Sequence, residues 1–237
     1  MTVNYNPGIA TNGLTVLLDS TNPRSYPGTG NTWYDISGNN NHGIMTNFTG
    51  PSAGSTSGYD TNTKWMMFDR HLGGSDATVN NVVNITNSLT LQDCVCQNGM
   101  TVSMWLKITT AVCTAMTKMD GAWEIYYCSP LVFRTQGTGG NDGTTSYNSS
   151  TYVDVWTNIV ATHDGTTRKM YFNGVEIYSD ANPVTNQTIT NPVAIGGYSS
   201  GIYAVIGALP YYSLYNRAIT LSEVLQNFNA IRGRYGI

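Results

Sequence analysis

Charge is scarce in this sequence: Asp, Glu, Lys and Arg make up 11% of its 237 residues, and the formal net charge is -3. With no basic block to hold a phosphate backbone, nucleic acid is excluded as a partner. An apolar run of 18 residues, the least that reads as a membrane-crossing helix, is also missing. The opening MTVNYNPGIATNG has neither the charged nor the apolar region of a cleaved export signal, so a soluble chain that uses no such signal and needs no membrane is expected. No phosphate-binding Gly-rich loop occurs. His42, His71 and His163 lack the i+2 or i+4 partner of a transition-metal site. No repeat, linker or charge run marks a second unit, which predicts one domain over 1–237.

What the chain does have is 25 Gly and 16 Tyr, the composition of many short strands joined by uncharged turns. LTVLLD (14–19) and KWMMFD (64–69) read as buried strands. TVSMWLKI (101–108) alternates, placing Val102, Met104, Leu106 and Ile108 on one face. VWTNIVATHDG (155–165), PVAIGG and GALPYYSLY add more, so that roughly a dozen strands predict an antiparallel sandwich. Between the first two strands, NPRSYPGTGNTWYDISGNNNHG holds too many Pro and Gly for a regular element. GTGGNDG (137–143) reads as a flexible loop. In RKMYFNGVEIY, Asn173-Gly174 is the pair that a two-residue type I′ turn demands. That turn sets Phe172 opposite Val175, Tyr171 opposite Glu176, Met170 opposite Ile177 and Lys169 opposite Tyr178.

A capping box at Thr220 and Glu223 opens a helix over 220–231. Leu221, Val224, Leu225, Phe228 and Ile231 form its apolar face, which should lie on the sandwich. Residues 1–12 precede the first strand and are the expected docking arm. Cys94, Cys96, Cys113 and Cys128 fit neither a CxxC pair nor a zinc ribbon. They are either buried free thiols or a staple joining the first pair to one of the other two.

The run WTNIVATHDGTTRKMYFNGVEIY, then IGG, then LYNRAITLSEVLQNFN, resembles the concanavalin A-like jelly roll of the laminin G and pentraxin-related group. GLTVLLDSTNPRSYPGTGNTWYDISGNNNHG is similar to the opening of LamG-like domains in tailed-phage structural proteins, and YNRAITLSEVLQNFNAIRGRYGI to their closing segment. The resemblance implies an all-β, concanavalin A-like antiparallel β-sandwich with one short C-terminal helix. It also implies a concave face and rim loops that often bind carbohydrate or calcium.

Related glucanases carry a Glu-x-Asp-x-x-Glu run, which is absent here. Glu124, Glu176 and Glu223 read instead as a strand residue, a hairpin partner and a helix cap, and the protein is not expected to be an enzyme. Asp19 and Asp35 are the candidate calcium ligands, although an Asx-turn ordering SGNNNHG explains Asp35 equally. Where related chains place an acidic ligand, GALPYYSLY has Pro210. Trp33 and Tyr34 read as core. Trp123, Tyr147, Tyr152, Tyr198 and Tyr203, in or near variable loops, are the candidate sugar contacts.

These readings lead to a non-enzymatic phage virion protein, a capsid decoration or tail appendage. Its partners would be other virion proteins, further copies of itself and host-surface glycans, with calcium the one possible cofactor. The alternatives are a free-standing calcium-dependent lectin and a glycan-cleaving enzyme with an unrecognised carboxylate pair.

Overall fold

Short apolar runs interrupted by turn-forming Gly, Asn and Asp cannot sustain long elements, and the described residues contain sixteen brief strands. The computed structural model describes residues 8–48, 57–69, 81–109, 114–127, 130–145, 153–187, 190–198 and 205–237. In chain order the strands are β1 (Leu14–Asp19), β2 (Thr32–Trp33), β3 (Gly43–Thr46), β4 (Gly58–Asp60), β5 (Trp65–Phe68), β6 (Val82–Ile85), β7 (Met100–Ile108) and β8 (Thr114–Met119). They continue with β9 (Trp123–Tyr127), β10 (Leu131–Thr135), β11 (Asp142–Thr144), β12 (Thr157–His163), β13 (Thr167–Phe172), β14 (Val175–Ala181), β15 (Val193–Ile195) and β16 (Gly207–Tyr215). Two α-helices, α1 (Leu89–Gln92) and α2 (Leu221–Ile231), and two short 3-10 helices, Cys96–Asn98 and Arg232–Tyr235, complete the set among the described residues.

The strands form two eight-stranded antiparallel sheets. One runs β14-β13-β12-β7-β16-β5-β4 with β1 also on β16; the other runs β11-β10-β9-β8-β15-β6-β3-β2. One edge of β16 is shared, because β5 pairs with Gly207 and Ala208 while β1 pairs with Tyr211 to Tyr215. A bulge on β16 between Ala208 and Tyr211 separates the two partners. Pro210, which has no N–H to donate, sits in it, and its carbonyl accepts from the Ser20 N–H at 2.8 Å.

Between the sheets lies the main core. Val102, Met104, Leu106 and Ile108 from β7 meet Val83, Ile85, Ile125, Phe133 and Ile195 from the second sheet. The opposite face of β7 is buried too, with Thr101, Ser103 and Trp105 all inaccessible. The reason is α2, which lies across the outside of the first sheet. Trp105 stacks on Phe228 with ring centroids 5.6 Å apart, and on Tyr235 at 4.6 Å. Val224 packs with Val160, Tyr171, Tyr215 and Ile219.

The helix starts as its capping box requires: the Thr220 hydroxyl accepts from the Glu223 N–H, and the Glu223 carboxylate accepts from the Thr220 N–H. Its buried face is narrower than the spacing predicts. Val224, Phe228 and Ile231 are buried, whereas Leu221 and Leu225 are 49% and 40% exposed. Asn227 takes the inner position instead; its side chain accepts from the Ala10 N–H at 2.7 Å and donates to the Tyr215 hydroxyl at 3.0 Å. Three apolar side chains buried at ~1.5–3 kcal/mol each still suffice to hold a helix that would be marginal alone.

Those bonds also correct the docking-arm expectation for part of its length. Residues 8–12 are held by the chain itself: Gly8 and Asn12 carbonyls accept from Gln226 and Arg217, and the Ala10 carbonyl from the Tyr215 hydroxyl. Residues 1–7 lie outside the described residues.

The β13–β14 turn has both central residues at positive φ, Asn173 at 48° and Gly174 at 80°, as a type I′ turn needs. Phe172 faces Val175 and Tyr171 faces Glu176. A bulge on β14 that leaves Ile177 unpaired then shifts the ladder, so that Met170 faces Tyr178 and Lys169 faces Ser179. The 137–143 segment is pinned rather than loose, since Thr138 and Thr185 exchange backbone hydrogen bonds at 2.8 and 3.0 Å.

Candidate functional site

Asp19 and Asp35 are buried and each is already committed to donors of its own chain. Asp35 Oδ1 accepts from the N–H groups of Leu17 (2.8 Å) and Ser37 (2.9 Å), and Oδ2 from the Ser37 hydroxyl (2.8 Å) and the Asn41 N–H (3.0 Å). Four donors on four lone-pair sites leave no room for an ion. Asp19 accepts from the Thr21 N–H and hydroxyl on Oδ1 and from the Arg234 guanidinium at 2.6 Å on Oδ2. A cation already faces it. These residues do not fit a calcium site, and among the described residues no group of three His, Cys, Asp or Glu is placed to hold a metal. Their role is to order the loop that follows β1.

Of the expected sugar contacts, Trp123 is corrected by its position. It points into the core from β9, buried, with its indole N–H donating to the Cys94 carbonyl at 2.9 Å. Tyr198 is half-buried, with the Lys118 ammonium 3.8 Å from its ring centroid. Tyr147, Tyr152 and Tyr203 lie outside the described residues. Trp33 is core as expected, whereas Tyr34 is 43% exposed with its ring edge-on to His42 at 5.3 Å. Cys94 and Cys96 are free and buried, and burial pushes both thiols up to about 12. Cys113 and Cys128 fall outside the described residues.

Charged side chains gather on the outer face of the second sheet. Directly paired positions place Lys118, Glu124, Arg134 and Asp142 in a row across β8, β9, β10 and β11. This row satisfies itself. Arg134 reaches Asp142 at 2.6 Å and Glu124 at 3.4 Å, the Tyr126 hydroxyl donates to Asp142 at 2.9 Å, and Lys118 meets Asp120 at 2.9 Å. Hydrogen bonding to Arg134 holds the Asp142 carboxyl below its ordinary range. The other two glutamates are likewise engaged, Glu176 by Lys169 at 3.1 Å and Glu223 by Arg217.

An open site lies instead at the β4–β5 hairpin, on the edge of the first sheet. Asp60 orders the turn: its carboxylate accepts from the Asn62 N–H at 2.9 Å and the Thr63 hydroxyl at 2.7 Å, and its carbonyl from the Lys64 N–H at 2.7 Å. The Thr63 hydrogen bond, first, keeps the Asp60 carboxyl below its usual value. Tyr59 is half-buried, its ring 4.9 Å from that of Tyr26 at an interplanar angle of 54°. Tyr26 is itself fixed, donating from its hydroxyl to the Gly30 carbonyl at 2.8 Å. Burial, more than the neighbouring Asp60, raises the Tyr59 phenol.

Two cavities meet at this ring. One, of about 570 Å³, is lined by Ser57, Tyr59, Asp60, Thr61, Asn62 and Met67 among others. The second, of about 420 Å³, is lined by Thr21, Pro23, Tyr26, Gly28, Lys64 and, again, Tyr59 and Thr61. Both fall in the range of small-ligand sites, ~300–1,000 Å³. Sequence reasoning passed over this region as turns. The available signal was an aromatic residue directly before the Asp-Thr-Asn-Thr-Lys turn, which places a ring beside a cluster of short polar side chains.

Comparison with known proteins agrees with the fold just described. The binding domain of Paraclostridial Mosquitocidal Protein 1 superposes with a TM-score of 0.63 at 19% identity, covering 92% of this chain and 52% of that one. Botulinum neurotoxin serotype C1 binding domain gives 0.62 at 13%, again over 92% and 52%. The chain therefore spans about half the length of these toxin domains. Domain 4 of AbnA, a GH43 extracellular arabinanase from Geobacillus stearothermophilus solved in complex with arabinotriose, gives 0.59 at 20% over 90% of this chain and 97% of that one. No curated protein sequence matches. The sequence profile of the concanavalin A-like lectin/glucanases superfamily matches residues 73–225, well over half of the chain, and it is to this superfamily that the chain belongs.

Proposed function

We propose that this chain is a carbohydrate-recognition domain that binds glycans without cleaving them, through the groove on either side of Tyr59. The observation that carries this reading is a braced, half-exposed tyrosine ring standing between two cavities edged by hydroxyl, amide and carboxylate groups. Aromatic faces accept the C–H surface of a pyranose while polar neighbours bond its hydroxyls. The likeness to an arabinanase domain solved with arabinotriose supports the same reading. So does the engagement of Glu124, Glu176 and Glu223 by Arg134, Lys169 and Arg217, which leaves none of them poised as an acid or nucleophile.

A glycan array of bacterial envelope polysaccharides, probed with and without a chelator, tests the proposal. Binding that survives chelation and is lost in Tyr59→Ala, with the circular dichroism spectrum unchanged, is the expected result. Binding retained by Tyr59→Ala would place the site elsewhere.

The tailed-phage setting is a second reading, about context rather than chemistry. It is favoured by the two terminal blocks that resemble phage structural proteins, which lie together here through the β1–β16 pairing. Mass spectrometry of purified particles tests it: absence of the chain would remove the virion role and leave the glycan reading untouched.

A further inference from the structure

Resting on the carbohydrate reading above, we propose that the groove is selective for a linear acidic oligosaccharide. One sugar ring lies over Tyr59, and a carboxylate of the next sugar meets the Lys64 ammonium. Two observations combine. The first is that Tyr59 and Thr61 line both cavities, so an occupant of both must cross the tyrosine ring. A chain does this; a single terminal sugar does not.

The second is Lys64 itself. Its φ is 65°, in the left-handed region, where a Cβ is disfavoured and glycine or asparagine would close the turn with less strain. Strained backbone held at a ligand-sized cavity points to a retained side chain. Lys64 is exposed, lines the smaller cavity, and makes no ion pair among the described residues. The other charge of the groove among the described residues, Asp60, accepts from Asn62 and Thr63 and lines the larger cavity. On the smaller-cavity side of Tyr59 the charged group is therefore Lys64, positive and offering donors only, while the Asp60 carboxylate, which its hydrogen bonds leave anionic, lies on the larger-cavity side. An anionic sugar substituent is the complement of Lys64, and a hydroxyl-rich neutral unit suits the Asp60 side.

The test is titration calorimetry of the whole chain with linear uronic-acid tetrasaccharides and their methyl esters, which keep the rings and remove the charge. Wild type should bind the acid about three- to tenfold tighter than the ester at low salt, with the gap closing as salt rises. Lys64→Gly suits the backbone and should fold; it is expected to equalise acid and ester, and Lys64→Arg to restore the preference. Equal binding of acid and ester by wild type, or a preference that survives Lys64→Gly, would overturn the inference while leaving glycan recognition standing. Monosaccharides binding as tightly as tetrasaccharides would overturn the chain-crossing geometry. Failure of every saccharide would bring down the carbohydrate reading as well.

Discussion

The Arg168 guanidinium, wholly buried, grips the Asp180 carboxylate with two hydrogen bonds of 3.0 and 2.6 Å. Its remaining N–H groups cross to the other sheet, donating to the Phe133 and Asn141 carbonyls at 2.8 Å each. One side chain thus ties β13 and β14 to the β10–β11 hairpin. Its charge is matched, and its donors are used.

Removing one member of such a pair strands the other. Arg168→Ala should lower unfolding free energy by about 3 kcal/mol or more, because Asp180 and two carbonyls lose their donors together. Urea denaturation measures this. A loss near that of an ordinary surface ion pair, under ~1 kcal/mol, would show that the bridge between sheets is dispensable.

Tyr235 makes the opposite case. Its ring stacks on Trp105 and tilts against Trp156, but among the described residues its buried hydroxyl has no hydrogen-bond partner. Tyr235→Phe keeps the ring and deletes the orphan group, so stability should rise by about 1 kcal/mol. Thermal unfolding of the two proteins decides the sign.

The Arg217 ion pair holds the Glu223 carboxyl down to about 2, with the Thr220 backbone and hydroxyl bonds adding to it. A depressed folded-state value means stability that is fully present above the ordinary glutamate range and is lost as pH falls from about 4.5 towards 2. Stability should fall through that window, and Glu223→Gln should flatten this part of the profile while costing about 1 kcal/mol of capping at neutral pH.

Cys94 and Cys96, with thiols pushed up to about 12 and no access to solvent, should be inert. Ellman's reagent at pH 8 is expected to leave both unmodified in the native state and to label both in guanidinium, as peptide mapping would resolve. Rapid native labelling of either would mean that this part of the core opens.

Where a residue type has one conformational reason to be present, its role was legible in the sequence. Asn173-Gly174 fixed the hairpin tip and Thr220 with Glu223 fixed the helix start, since positive φ and an unpaired N–H leave few other choices. The bulge at Ile177 was not legible, because nothing local in VEIY distinguishes a continuous ladder from a shifted one. Trp123 misled for a related reason: an indole suits a sugar or a core equally, and only the burial of β9 separates the two. The groove at Tyr59 depends on Tyr26, 33 residues earlier, and on turns that bring the two together. No periodicity encodes that meeting.

The shared edge of β16 also bears on the order of events during folding. The strand that β1, β5 and β7 all require as a neighbour is the last of the sixteen to be synthesised. Until it arrives the first sheet has a gap at its centre, and β1 waits for a partner nearly two hundred residues away. A chain stalled before residue 207 would hold exposed strand edges and an unfilled core. Refolding should accordingly be slow, dominated by long-range closure, and most vulnerable to aggregation before that last strand docks.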